Sequence, residues 1–324
     1  MTKLARRNIY PLATGGKITQ RDIAGILGLP YVGTVYYVDP SAGSDVTNNG
    51  KTPGRAFATV AAAFNAATSG KHDVILIAPT GGTGRTTETT AISWNKRFVH
   101  LVGNAAPTAQ DARAGISFGT GGSLTISENG CIFSTLTFNG TADINVPVTL
   151  SGDYNAFLGV DFKGSLNATT GDDTAARALV ISGGQENYFA NCTLGADTFD
   201  RSAANATLEF ASAASRNVFE NCRFIMSTDA TTPVHVLFTG TSAIDRWVEF
   251  KDCLFYNFTA NDAAEPAAVM DLSAQTATGH VLLTGNCQLH HIDNWEATAS
   301  GRISYASYST TANAVGKPVN PTVD

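Results

Sequence analysis

Three groups of side chains in this 324-residue sequence have the types and spacing to do chemistry. The first is acidic. Asp172 and Asp173 stand together in NATTGDDTAAR, Asp197, Asp200 and Arg201 follow in GADTFDR, and Glu220 and Glu249 come later. Such acids can break a glycosidic bond: an inverting hydrolase sets two carboxylates about 6.5–9.5 Å apart, and a lyase pairs a base with a positive charge or a metal. The second group, His280, His290, His291 and Asp293, has the donor types of a metal site. The third is five cysteines, Cys131, Cys192, Cys222, Cys253 and Cys287. Each group also has a plainer reading. The aspartates fit solvated turns, Glu220 and Glu249 an outward column kept soluble by Arg223 and Lys251, and the histidines the surface of a final coil. Arg177, Arg216 and Arg246 fall near repeat boundaries, where they can offset acidic charge. The plainer readings are preferred, and no catalytic, cofactor-binding or metal-ligating residue is assigned.

The cysteines lead to the elements that must position these groups. NYFANCTL at 187–194 recurs as NVFENCRF at 217–224, VEFKDCLF at 248–255 and LLTGNCQL at 282–289, so the last four cysteines lie 30, 31 and 34 residues apart. STLTFNG at 134–140 and LGVDFKG at 158–164 fit the same place without the cysteine. A second family of segments accompanies them: SLTIS at 123, VTLSG at 148, LVISG at 179, LEFAS at 208, VLFTG at 236 and VMDLS at 269. Each repeat thus holds at least two short strands divided by Gly, Ser, Asn or Asp. One such repeat has no core of its own; stacked coils about 4.8 Å apart pair every strand edge and line like residues into interior columns. The pattern predicts an all-β parallel β-helix. Cysteines this far apart lack the close pairs of a zinc knuckle and read as a buried column of free thiols. The preceding Asn191, Asn221, Asp252 and Asn286 read as a ladder of turn residues.

The ends differ from the repeats. Residues 19–29, TQRDIAGILGL, space Ile23, Ile26 and Leu27 as one face of a short helix, with Thr19 and Asp22 placed as a capping pair. VYYVD predicts the first strand, FATVAAAFNAAT a helix acting as a lid on the open end of the stack, and DVILIAPT the next strand. After residue 292 the coil rhythm fades; Tyr305 and Tyr308 are candidates for closing the far end, and VGKPVNPTVD reads as an extended tail. This divides the chain into an arm at 1–33, a β-helix at 34–292 and a cap and tail at 293–324.

The segment VYYVDPSAGSDVTNNGKTPGRAFATVAAAFNAA, residues 35–67, resembles the amino-terminal signature of the pectate-lyase-like right-handed β-helix superfamily, above all the versions found in bacteriophage tailspikes and other virion proteins. The carrying residues are Tyr37 to Asp39, Gly43 to Gly50, Pro53 to Thr59 and Asn65 to Ala67. With the repeats the likeness covers about residues 34–292. It implies a right-handed β-helix with a short amino-terminal capping helix, a homotrimer, and attachment to another virion protein through residues 1–33. It is weak for activity, since superfamily members include lyases, hydrolases, epimerases and structural proteins. The Gly-His-Gly segment of polygalacturonase-like relatives is missing, and Arg302 lacks the lysine that would follow it.

A net charge of −6 with only 15% charged residues leaves no broad cationic surface for nucleic acid. Lys3, Arg6, Arg7, Lys17 and Arg21 make the first residues a basic arm on an acidic body. No stretch reaches membrane-span length, and no secretory signal opens the chain, so synthesis in the host cytoplasm without membrane insertion is expected, while residence in the virion is what the resemblance implies. Walker, dinucleotide and Gly-x-Ser-x-Gly motifs are missing. The expected function is a structural virion protein: a head fibre or decoration, or a short tail projection, in contact with a host surface glycan. The alternatives are a tailspike depolymerase, hydrolase or lyase, using the acids above, and a glycan-binding adhesin without cleavage.

Overall fold

A computed structural model describes residues 20–141, 143–259, 264–276 and 278–305. The basic residues at 3, 6, 7 and 17, the capping role of Thr19, Tyr308 and the tail all lie outside the described residues.

The chain winds through three parallel ladders per coil, one more than the sequence repeats reveal. The first ladder runs from Val35–Val38 through Val74–Ile77, His100–Gly103 and on to Trp247–Lys251, His280–Thr284 and Ile303–Tyr305, so it continues past residue 292. The second starts at Arg85–Glu88 and Gly115–Phe118 and ends with Thr193–Arg201, Arg223–Thr228, Leu254–Phe258 and Gln288–His290. Two long strands, Ile132–Gly140 and Ala156–Ser165, bend through both. The third ladder is a separate seven-stranded sheet from Ala91–Trp94 to Met270–Asp271, and contains all six segments of the second repeat family. The extra strand is hidden in the sequence because each cysteine motif holds two strands a few residues apart, as Tyr188–Ala190 and Thr193–Arg201 are in NYFANCTL.

Register makes the core. Phe133, Phe157, Phe189, Phe219 and Phe250 occupy one row of the first ladder, and their rings stack at 5.0, 4.6, 4.3 and 5.1 Å between centroids. A second row, Phe138, Phe162, Leu194, Phe224 and Phe255, faces it from the second ladder. All ten side chains are fully buried. At about 25 cal/mol per Å² of apolar surface, each phenylalanine removed from water contributes a few kcal/mol, and aromatic stacking adds to this.

The corner between the first and second ladders is one residue in left-handed conformation: Gly159, Asn191, Asn221, Asp252 and Gly285, with φ between 53° and 68°. Asn and Asp tolerate this conformation best after Gly. Asn221 Nδ2 donates to Asn191 Oδ1 at 2.6 Å, so the turn ladder expected from sequence is present. Its last member differs: Gly285 takes the corner and Asn286 is an inserted residue, whose N–H donates to Asp252 Oδ1 at 2.8 Å. A second, buried asparagine ladder precedes the strands of Phe157, Phe189 and Phe219 in the first row. Asn155 Oδ1 accepts from Cys131 N, Asn187 Oδ1 from Asn155 N, and Asn217 Oδ1 from Asn187 N, at 2.8, 2.8 and 2.9 Å.

Cys192, Cys222, Cys253 and Cys287 follow the corner and face inward as one column, whereas Cys131 precedes the strand Ile132–Gly140, in the row of Asn155, and so stands outside the column expected from sequence. All five are free and buried, and Cys192, Cys222, Cys253 and Cys287 direct Sγ at the carbonyls of Phe157, Phe189, Phe219 and Phe250. Burial pushes the Cys131 thiol up to about 11, which keeps it protonated and unreactive at neutral pH.

Two helices serve the upper end. α2 (Val60–Ala66), capped by Thr59 Oγ1 on Ala62 N, closes the interior: Phe64 stacks on Trp94 at 4.3 Å. α1 (Gln20–Leu27) instead buttresses the side, placing Ile23, Ala24 and Leu27 on the outward face of Val35, Val74, Leu76 and Val102.

Phe219→Ala, which opens a void in the middle of the ring column, is expected to cost about 3–5 kcal/mol, whereas Val46→Ala at a residue 93% exposed should change stability by less than about 0.5 kcal/mol. Urea unfolding followed by circular dichroism checks both; equal midpoints for the two variants would refute the column as the main support.

Candidate functional site

The densest charge cluster lies on the outward face of the second ladder, under a loop. In the later coils one residue, or Gly285 with the inserted Asn286, turns this corner, but between Val74–Ile77 and Arg85–Glu88 it is residues 78–84, and in the coil of His100–Gly103 it is residues 104–114, which fold over neighbouring coils. Six side chains hold the loop there, among them Thr137, whose Oγ1 donates to Ala112 O at 3.1 Å. Asp161 Oδ2 accepts from Ala112 N at 3.0 Å and from Thr137 Oγ1 at 3.2 Å. Thr193 Oγ1 donates to Ala109 O at 2.5 Å, and Gln110 Nε2 reaches Asp197 Oδ2 at 3.4 Å. Asp111 gathers three cations: Arg85 in close contact, Lys163 Nζ at 3.1 Å and Arg113 Nη1 at 3.8 Å.

The two carboxylates of the cluster are driven apart. Burial raises Asp161, and its bonds from Ala112 and Thr137 offset only part of that. Burial also acts on Asp111, but the Lys163 hydrogen bond and the Arg85 charge outweigh it and hold the group below its ordinary value. Opposed carboxyls of this kind are the usual sign of an acid and base pair. Here Asp161 is only 3% exposed beneath the loop, which removes it from contact with a polymeric substrate. The open group is Arg113, whose side chain is 69% exposed. As it stands, the face can hold an acidic group. None of Arg85, Asp111, Arg113, Asp161 or Lys163 was singled out from sequence, because their meeting depends on how far one loop reaches across the stack.

The acids expected from sequence serve as clasps. Asp172 accepts from Ser202 N, Ser202 Oγ and Ala203 N at 2.6, 2.6 and 2.8 Å, and these bonds lower its pKa despite burial. Asp173 accepts from Ala175 N at 2.8 Å and is exposed in its turn. Asp200 is bonded by Ser227 Oγ, and Thr284 Oγ1 donates to Glu249 at 2.6 Å. Glu220 pairs with Lys251 Nζ at 2.8 Å and with the Tyr188 hydroxyl. Glu220 and Glu249 are not stacked: the row partner of Glu220 is Lys251, and that of Glu249 is Val218, two positions away. Arg223 stands in another row, between Thr193 and Leu254, and Lys251 is the cation beside Glu220. Arg177 bonds Glu209 at 2.6 Å and Arg216 bonds Glu186 at 2.7 Å, so both link coils as electrostatic ties. His280, His290, His291 and Asp293 are exposed at the last coils, and no three His, Cys, Asp or Glu residues converge as metal ligands among the described residues. No described helix is long and apolar enough to cross a membrane.

Solved structures share this architecture. The chain aligns with pectate lyase Pel9A at a TM-score of 0.52 and 16% identity, over 78% of this chain and 62% of the lyase. It aligns with a pectin methylesterase in complex with a hexasaccharide at 0.50 and 14%, over 86% and 91% of the two chains. A Geobacillus virus E2 protein aligns at 0.48 and 16%, over 84% and 52%, too low a score to carry weight. No protein-family model and no curated protein matches the sequence. The protein therefore has the pectate-lyase-like right-handed β-helix fold. At these identities the likeness is one of fold alone.

Asp161 supplies a pH test. Its pKa is higher folded than unfolded, so the folded state binds the proton better, and stability is fullest below the ordinary value of 3.8 and falls as pH rises through the raised one. Asp161→Asn keeps an acceptor for Ala112 without the buried charge. It should match the parent at low pH and exceed it at pH 7 in thermal midpoint. Asp161→Ala deletes the acceptor; it should cost about 1–3 kcal/mol and speed hydrogen exchange in residues 104–114. An asparagine variant less stable than the parent at neutral pH would show that the charge itself holds the loop.

Proposed function

We propose that the protein is a non-catalytic, β-helical component of a bacteriophage particle: a trimeric shaft that decorates the head or forms a short tail projection. The observation that carries the non-catalytic part is the use of the acids. Asp172, Asp200, Glu220 and Glu249 each reach a side chain or backbone in the next coil, so they join turns of the helix. The particle context rests on the likeness of residues 35–67 to virion proteins, and attachment through residues 1–33 on the same likeness and the basic character of the arm. Contact with an acidic host glycan draws on Arg113 beside Lys163 and Arg85.

The depolymerase reading draws on the opposed carboxyls of Asp111 and Asp161 and requires the 104–114 loop to lift from Asp161. Two measurements separate these readings. Light scattering on the purified full chain should give three times the 33.8 kDa chain mass; a mass of one chain would count against a preformed trimer. Incubation with acidic and neutral surface polysaccharides should release no new reducing ends or unsaturated products. Cleavage that disappears in Asp161→Asn would replace the structural reading by the enzymatic one.

A further inference from the structure

A buried cation lies at the interior corner between the second and third ladders, at the end of Thr193–Arg201. Arg201 is 4% exposed, and no carboxylate lies within ion-pair distance among the described residues. Its one hydrogen bond there runs from Nη1 to Thr207 Oγ1 at 3.4 Å, and its buried Nε has no partner. Burial lowers the guanidinium only to about 10, so it is charged at neutral pH.

The groups around it are polar, buried and under-used. Thr207 lies between Ala206 and Leu208, whose row partners are Val234 and Val236; the residue beside Thr207 in the next coil is therefore His235. His235 is fully buried, and neither ring nitrogen has a partner. Burial and then the Arg201 charge bring its pKa down to about 3, so the ring is neutral, with one N–H to give. Thr228, the row partner of Arg201, contacts Asn257 Oδ1 at 3.2 Å, and Asn205 is buried with an unpaired Oδ1. The other charges felt at Arg201 come from Asp172 and Arg177. Both are committed: the oxygens of Asp172 accept from Ser202 and Ala203, and Arg177 is paired with Glu209.

A buried ion without a hydrogen-bonded counter-charge is among the costliest features a fold can carry, several kcal/mol even after relaxation. Proteins meet that cost by pairing the charge. A water molecule can satisfy the unpaired N–H groups of Arg201 and His235 but brings no charge. A carboxylate or phosphate ester needs an approach path that the 4% exposure of Arg201 denies. A monatomic anion enclosed during folding meets both conditions.

We propose that this corner binds a halide ion, chloride under ordinary conditions, between the guanidinium of Arg201 and the imidazole N–H of His235. The ion links consecutive coils, since Arg201 and His235 belong to neighbouring turns. It acts as a structural ligand enclosed by the stack.

The test uses the intact chain. Crystals soaked in sodium bromide should show an anomalous peak within hydrogen-bond distance of Arg201 Nε and a ring nitrogen of His235. Ordered water there with no anomalous signal overturns the proposal. In solution, unfolding of the parent protein in chloride and in isethionate at equal ionic strength gives a second reading. Above its dissociation constant, each tenfold rise in chloride should raise the folded-to-unfolded ratio about tenfold. Arg201→Met, which keeps the length of the side chain without its charge, should lose that dependence. If Arg201→Met does not fold, the bromide soak and the chloride series on the parent still decide. A parent protein indifferent to chloride refutes the site.

Discussion

Everything in this molecule depends on parallel in-register pairing between one coil and the next. Strands about 4.8 Å apart put residues a full coil apart in sequence into direct contact, so a side chain meets its own counterpart in the turn above and below. Aromatic rings tolerate this well, because planar faces stack at close to that spacing. The column from Phe133 to Phe250 is the result, with the rings of Phe157, Phe189 and Phe219 within 6° of parallel. Charges tolerate it poorly, since like charges in one row repel. The outward rows accordingly alternate in kind: Glu220 is followed by Lys251, and Val218 by Glu249.

The same constraint explains why so much of the fold was legible. A row that must repeat in space also repeats in sequence, and the cysteines marked it at 30 to 34 residues. The corner Asn and Asp residues were legible because left-handed backbone restricts the choice of side chain at that point. The buried ladder of Asn155, Asn187 and Asn217 has the same period but was overlooked. It sits before a strand, where Asn reads as ordinary loop composition; only the structure shows each Oδ1 accepting the preceding coil's backbone N–H. These asparagines satisfy donors that the turn would otherwise bury unpaired.

The charged clusters were illegible for the opposite reason. Arg85, Asp111 and Lys163 belong to different coils and meet because one corner is enlarged and folds laterally. Periodicity carries no information about how far an insertion reaches. Arg201 was noticed, but as part of an acidic loop; its strand bulges between Ala196 and Asp200, which sends Asp200 to Ser227 outside and Arg201 to Thr228 within. A one-residue change of facing at a bulge reverses solvent and core, and no local composition announces it.

This division bears on where function can arise in such a solenoid. The interior rows are fixed by their neighbours on both sides, so a substitution there is felt by three coils. The corners carry no such restriction: those between the first and second ladders lengthen to residues 78–84 and 104–114, and those between the second and third vary from residues 166–178 to 202–205. Even there, the acids have been drawn into holding adjacent coils together, as Asp172 does with Ser202 and Ala203. A carboxylate that accepts three hydrogen bonds from the next turn has a lowered pKa and so holds no proton to give near neutral pH, which makes it a poor general acid. What these corners contribute is cohesion along the axis. Each turn of a solenoid touches only its neighbours, so ties of this kind between adjacent coils carry the stability of the whole stack.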